Sequence, residues 1–187
     1  MLPPTFTLKQ AQLAGISKRE IYRRRDAGEI ELIRRGLFRE ADADVQDADL
    51  AEIAARTPVA TLCLTTALAR HELTDQIPIS TDVAIPRGTR PPASDPTVQW
   101  HHFDAATFEI GRELLALSGK MQIGIYRAER CIIDAFRMRG LEGHEVAVVA
   151  LKRWLCRRGS QPSKLLEMAK QFPRAVGPLQ RTLEILL

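Results

Sequence analysis

Lys18, Arg19, Tyr22, Arg23, Arg24 and Arg25 fall within eight consecutive positions. Cationic side chains at that density on a helix make a surface for phosphates, and an arginine can also donate two hydrogen bonds to the edge of a guanine. Helical spacing turns Ile21 inward, puts Arg25 near its edge, and lets Lys18, Arg19, Tyr22 and Arg23 share an outward face. Arg34 and Arg35 stand a few residues on, where they would reach a groove or backbone beside that helix. A second cluster, Lys152, Arg153, Arg157 and Arg158, surrounds Trp154. Cations near a helix C-terminus favour the macrodipole, but four in seven positions exceed that need. With Trp154 in the core, the four should fan over the exposed side beside it. They are read as an extension of a DNA footprint, with an acidic partner as the alternative.

Other chemistry is sparsely represented. The histidines His71, His101, His102 and His144 form no HExxH or HxxxH pair. His101 and His102 are adjacent on an expected strand, so they point to opposite faces and cannot share a metal. There is no phosphate-binding glycine loop and no GxSxG elbow. Cys63, Cys131 and Cys156 are odd in number and far apart, which suits reduced thiols in or near the core better than a disulfide or zinc site. Asp134 reaches Arg130 or Arg137 at helical spacing, an arrangement expected to be surface ion pairing worth less than about 1 kcal/mol, with a partner-facing polar patch as the alternative. These residues imply no catalytic constellation, no metal, no cofactor and no enzyme.

The elements that must carry the basic residues are punctuated clearly. Thr7 and Gln10 have capping-box spacing, and so do Ser17 and Glu20. Gly15 ends the first short helix, and Gly28 the second, which holds the cationic run. Ile16 and Ile21 stand at staple positions of that second helix. Two short apolar runs then flank Arg35-Gly36 and predict a β-hairpin with an arginine-rich tip. Helix, turn, helix and basic hairpin make a winged helix-turn-helix over residues 1–40.

Residues 41–57 predict a linker with an acidic start, Asp42, Asp44, Asp47 and Asp49, that becomes a helix ended by Pro58. Residues 58–187 read as a second domain. It opens on a helix near 65–71, followed by strands at 82–86 and 98–103; 114–117 and 121–126 are two further strand candidates, with a short helix as the alternative. A helical end begins at Ala128. Ala128, Cys131, Ile132, Ala135 and Phe136 form an amphipathic stripe, Ser163 reads as an N-cap, and Pro178 as the first turn of a last helix. The fold class expected is α+β, mainly helical: an N-terminal winged helix-turn-helix, then a domain with a small sheet and a helical end.

Charge is unevenly distributed. Residues 1–40 carry nine Lys/Arg against five Asp/Glu, and residues 120–187 thirteen against six, whereas 41–58 and 59–119 are acidic. Basic ends suit a phosphate-binding surface. With 45% hydrophobic and 27% charged residues the composition is that of a globular chain. No apolar run approaches the roughly 20 residues of a membrane helix. The start, Met1-Leu2-Pro3-Pro4, lacks a secretory signal, so a cytoplasmic protein with no membrane partner is expected.

Several stretches together resemble the AbiEi family of abortive-infection antitoxins from type IV toxin–antitoxin systems. Gly15-Ile16-Ser17, Gly28-Glu29-Ile30 and Arg35-Gly36-Leu37-Phe38-Arg39 are similar to that family's winged helix. Residues 63–75, Val83-Ala84-Ile85-Pro86-Arg87-Gly88-Thr89-Arg90 and Tyr126-Arg127-Ala128-Glu129-Arg130-Cys131-Ile132-Ile133-Asp134 resemble its second domain. The resemblance implies a transcriptional repressor that binds double-stranded promoter DNA, silences its own operon and counteracts a nucleotidyltransferase-family toxin through its second domain. The family usually has a helix ahead of the helix-turn-helix, where this sequence has Met1-Leu2-Pro3-Pro4, and a threonine where it has Cys131. The alternative is a stand-alone winged-helix regulator whose second domain senses a ligand or dimerises.

Overall fold

A computed structural model describes residues 2, 5–41, 48–92, 96–117, 121–138, 140 and 144–187. Its chain divides into two compact units, Met1–Ala60 with Leu114–Ile123, and Thr61–Glu113 with Gly124–Leu187. Both helices and sheets are present in an α+β arrangement.

The N-terminal unit begins with strand β1 (Thr5–Thr7), helix α1 (Leu8–Leu13) and helix α2 (Lys18–Asp26), followed by strands β2 (Ile30–Arg34) and β3 (Leu37–Glu40) and helix α3 (Ala48–Arg56). The first capping box forms as its spacing predicts. Gln10 N donates to Thr7 Oγ1 at 3.2 Å, and Thr7 N donates to Gln10 Oε1 at 2.7 Å. The second is half formed. Ser17 Oγ accepts from Glu20 N at 3.1 Å, but the Glu20 carboxylate is held by Arg23 at 2.9 and 2.6 Å. Gly36, with φ of +81°, turns the hairpin in a conformation that costs an L side chain strain.

Strand β3 is central in the order β1-β3-β2, antiparallel to both neighbours, with Phe6 opposite Phe38 and Leu32 opposite Phe38. Phe6, Ala11, Ile21, Ile30 and Phe38 form the core, and Leu2, Leu8, Ile16 and Tyr22 pack against it. Strand β1 is an addition to the expected elements. Three residues are too few for a periodic signal, yet Phe6 is fully buried and stacks on Phe38 at 6.0 Å. Helix α3 packs against β1 and buries Leu50, Ala51, Ile53 and Ala54. Of the four acidic residues expected to open a linker, Asp42, Asp44 and Asp47 lie outside the described residues, and Asp49 is an exposed residue of α3.

The C-terminal unit is built from strand β4 (Thr61–Leu62), helix α4 (Leu64–Arg70), strands β5 (Thr81–Pro86) and β6 (Val98–Phe103), and helices α5 (Ala128–Arg137), α6 (His144–Leu155), α7 (Pro162–Ala169) and α8 (Pro173–Leu186); strands β7 (Arg112–Ala116) and β8 (Gln122–Tyr126) start and end in it, while their facing ends belong to the first unit. The sheet order is β6-β5-β4-β8-β7. The two-residue β4 runs antiparallel to β5 and parallel to β8, and β5 runs parallel to β6. Helix α5 is packed by α4, α6, α7 and α8. Its seven residues from Arg130 to Phe136 are all buried, so it is enclosed on every side rather than half exposed.

Two helix starts differ from expectation. Gln161, not Ser163, occupies the N-cap of α7, because Pro162 takes the first helical position, where its missing N–H costs nothing. Pro173 does the same for α8, which leaves Pro178 inside the helix rather than in its first turn. The Thr182 hydroxyl donates to the Pro178 carbonyl at 2.9 Å.

Candidate nucleic-acid interface

Helix α2 is positioned by the Ser17 cap at one end and by Ile21 in the core. That leaves Lys18, Arg19 and Arg23 exposed, as helical spacing predicts. Arg19 has no hydrogen-bond or ion-pair partner among the described residues, and neither has Arg35, exposed at the hairpin turn between β2 and β3. The side chain of Arg34 lies outside the described residues. Lys18 Nζ stands 5.9 Å from the Tyr22 ring.

Tyr22 departs from the expected outward face. It is half-buried, set edge-on to Phe38 at 5.9 Å and capped by Arg25, whose guanidinium carbon lies 4.8 Å from its ring. Its position one residue after Ile21 brings it to the border of the core. Arg23 is 64% exposed at its side chain but engaged by Glu20. The Arg23 guanidinium holds the Glu20 carboxyl below its ordinary range, and the carboxylate raises the guanidinium in return. Arg24 lies 3.1 Å from Glu29 and 3.6 Å from Glu40, and Arg25 lies 2.5 Å from Asp26. Among the described residues, the cations of this face without an ion-pair partner are therefore Lys18, Arg19 and Arg35.

The second basic cluster is divided. Trp154 is buried and donates from Nε1 to Glu129 at 3.2 Å. Lys152 and Arg158 are exposed. Arg153 pairs with both carboxylate oxygens of Asp75, one of them at 2.9 Å, and Arg157 donates to the His71 carbonyl. The expected fan of four free cations is thus reduced to two, because Arg153 and Arg157 tie α6 to the chain that follows α4. The Arg153 guanidinium lowers the Asp75 carboxyl below its ordinary range.

His101 and His102 do point apart. His101 Nε2 lies 2.9 Å from Asp82 Oδ1, and His102 Nε2 lies 3.2 Å from the Thr89 carbonyl. Among the described residues no three His, Cys, Asp or Glu side chains are grouped to hold a metal. Cys63 and Cys131 are buried free thiols, and Cys156 is an exposed one. Burial pushes the Cys131 thiol well above its ordinary range.

Arg130 and Asp134 overturn the expectation of surface pairing. Their side chains are 0% and 1% exposed. Arg130 Nε donates to Asp134 Oδ2 at 2.9 Å, and its Nη1 donates to the Thr107 and Ile110 carbonyls at 2.8 and 2.6 Å. The guanidinium carbon lies between the Tyr126 and Phe172 rings, 4.4 and 4.2 Å from their centroids. Arg137 Nη2 lies 2.8 Å from the other Asp134 oxygen. Burial pushes the Asp134 carboxyl up, against the pull of both guanidiniums. An i, i+4 pair carries no mark of depth in the sequence; the rings that bury it come from β8 and from the start of α8.

Beside this network lies a cleft of about 590 Å³, lined among others by Arg87, Arg137, Arg174, His102, Phe103 and Phe172. All of its lining residues belong to the C-terminal unit. Sequence reasoning missed it, since its arginines stand far apart in the chain.

Residues 1–41 match the family model described as "Transcriptional regulator, AbiEi antitoxin", in keeping with the resemblance read from the same residues. No curated protein matches the sequence. The crystal structure of the RV2827C protein from Mycobacterium tuberculosis is similar in fold, with a TM-score of 0.50 at 17% identity over 98% of this chain and 76% of that one. Among the described residues no helix is long and apolar enough to cross a membrane. The family match supports a regulatory role.

Proposed function

We propose that this chain is an AbiEi-type antitoxin that binds the promoter of its own operon and represses it, and that counteracts a nucleotidyltransferase-family toxin. The observation that carries the reading is the conjunction at the N-terminus: residues 1–41 match an antitoxin-regulator family, and the same residues present uncommitted Lys18, Arg19 and Arg35 on a helix and an adjoining hairpin turn. In winged helices a helix of this kind enters the major groove while flanking cations hold phosphates. Arg34 belongs to the proposed surface by its place in the hairpin, and Arg23 joins it once released from Glu20. Lys152 and Arg158 make a second basic patch for the same polyanion. Tyr22 serves the interface by shaping α2 against Phe38. The reading is of a cytoplasmic, non-enzymatic protein without a metal or cofactor.

The test is promoter binding by fluorescence anisotropy across a salt series. Replacing Lys18, Arg19 and Arg35 together by Ala should weaken binding at least tenfold. For each phosphate no longer neutralised, the salt slope should fall by about one unit. Unchanged binding by a folded triple variant would rule this face out. Co-expression with the neighbouring gene, scored for rescue of growth, tests the antitoxin half. The arginine-lined cleft of the C-terminal unit favours a second reading, a stand-alone regulator with a ligand-sensing domain. Promoter binding without growth rescue would select it.

A further inference from the structure

The cleft of the C-terminal unit contains an unusual concentration of positive charge. Arg87 follows β5, Arg137 ends α5 and Arg174 opens α8, so three elements distant in sequence bring guanidiniums to one cavity. Arg87 and Arg174 are exposed and have no ion-pair partner among the described residues. Arg137 is set deeper, with its side chain 21% exposed. One of its terminal nitrogens faces Asp134, while its Nε is buried with no hydrogen-bond partner. Behind it, Arg130 Nη2 is likewise buried and unpaired. Asp134, behind the lining, is shared between Arg130 and Arg137, so one carboxylate is divided between two guanidiniums and Arg137, which does line the cleft, is only partly neutralised. Like charges gathered in a partly enclosed space repel one another and focus an attractive field on an anion.

The rest of the lining says what kind of anion. A volume of about 590 Å³ lies within the range of roughly 300–1,000 Å³ that holds small organic ligands, and far exceeds what an inorganic ion needs. Asp104 also lines the cleft. One of its carboxylate oxygens accepts from Ala106 N at 2.9 Å; the other is available to ligand hydroxyls. Gln171 adds an amide that both donates and accepts, and Met138 adds an apolar contact. Nucleic-acid backbones are held by rows of cations spread along a surface. Here the arginines converge on a single recess, which suits one compact anionic group attached to a polar body.

We propose that this cleft binds a small organic phosphate of nucleotide size, with the phosphate held by Arg87, Arg137 and Arg174 and the hydroxyl-bearing body directed toward Asp104 and Gln171. The site belongs to a different unit from the proposed DNA-binding face and does not depend on the antitoxin reading. Arginine forks are well matched to phosphate, and each charge-assisted contact contributes strongly in a partly dry site.

The test is isothermal titration of the full-length protein with adenosine 5′-monophosphate, ribose 5-phosphate, adenosine and inorganic phosphate, in a buffer free of phosphate. Saturable binding of either organic phosphate, at least tenfold tighter than both adenosine and inorganic phosphate, is expected. Arg87→Gln and Arg174→Gln should each weaken it about tenfold, while Lys164→Gln, which removes a charge outside the cleft lining, should leave it unchanged. Thermal unfolding of each variant checks that the fold is kept, and the two single variants report independently. Adenosine binding as tightly as its phosphate, inorganic phosphate binding as tightly as the organic ones, or no saturable binding below about 1 mM would each overturn the proposal. So would a 5′-phosphorylated oligonucleotide that binds more tightly than the mononucleotide and loses affinity in the same variants, since that would make the cleft a nucleic-acid end site.

Discussion

Glu20 shows how one side chain can serve folding and oppose function. As the third residue of α2 it sits where the helix dipole favours an anion, and it occupies the fork of Arg23. On the proposed DNA face it would also stand among phosphates, where a negative charge is repelled. Glu20→Gln should therefore tighten promoter binding and steepen the salt slope by about one unit as Arg23 is released, with a small loss of stability as the helix dipole loses its anion. Anisotropy and thermal unfolding check the two halves; weaker binding would mean that Arg23 acts only as a helix-surface partner. The outward placement of Lys18, Arg19 and Arg23 was legible because Ile21 fixes the phase of a nine-residue helix. The depth of Asp134 was not legible, because Tyr126 and Phe172 cover Arg130 from other elements. Removing the carboxylate leaves Arg130 charged and buried. Asp134→Asn should cost about 3–5 kcal/mol, as removal of one partner of a buried pair does, seen as a lower denaturant midpoint for the C-terminal helices by circular dichroism. A change under about 1 kcal/mol would mean that the carbonyls of Thr107 and Ile110 alone satisfy the guanidinium.

At the scale of elements, the helices were easier to read than the short strands. The caps at Thr7 and Ser17 and the apolar stripe of α5 announce themselves through side chains near in sequence. Strands β1 and β4, three and two residues long, are defined by partners elsewhere, Phe38 for Phe6 and both Val83 and Ile125 for Leu62. The β4–β8 seam depends on a close approach that only glycine permits. Gly124 faces Thr61 across the parallel pair, and a Cβ there would collide with Thr61 Oγ1 and stand 2.8 Å from the Arg112 guanidinium. Arg112 Nε donates to that same Thr61 oxygen at 2.8 Å. Gly124→Ala must displace the Arg112–Thr61 bond or push β8 away from β4. The expected destabilisation is about 1–3 kcal/mol, the usual cost of overpacking, read as a fall in the thermal midpoint. An unchanged midpoint would show that Arg112 swings aside freely and that its bond to Thr61 adds little to the sheet.

At the scale of the whole molecule, the sequence suggests a separation of labour: a basic winged helix at one end, an acidic middle, and a basic helical end. The structure adds that residues 114–123, the facing ends of β7 and β8, cluster with residues 1–60 and not with the unit their strands grow from. An association between segments so far apart leaves no periodic trace in a sequence. Within that segment Leu117, Met121 and Ile123 are buried. Residues 58–187 expressed alone should therefore keep the α4–α8 helices and the arginine-lined cleft, since those contacts are internal to the C-terminal unit, and should lose promoter binding with α2 and its hairpin. The same fragment should expose apolar surface around residues 114–123 that the intact chain covers, because residues 1–57 are gone. Circular dichroism, promoter anisotropy and binding of a hydrophobic dye separate these outcomes. Retained helicity, no promoter binding and raised dye fluorescence relative to the full chain are expected. A fragment that still binds the promoter would move DNA recognition to the basic C-terminal helices. One that binds no more dye than the intact protein would mean that the β7–β8 ends fold back and cover themselves.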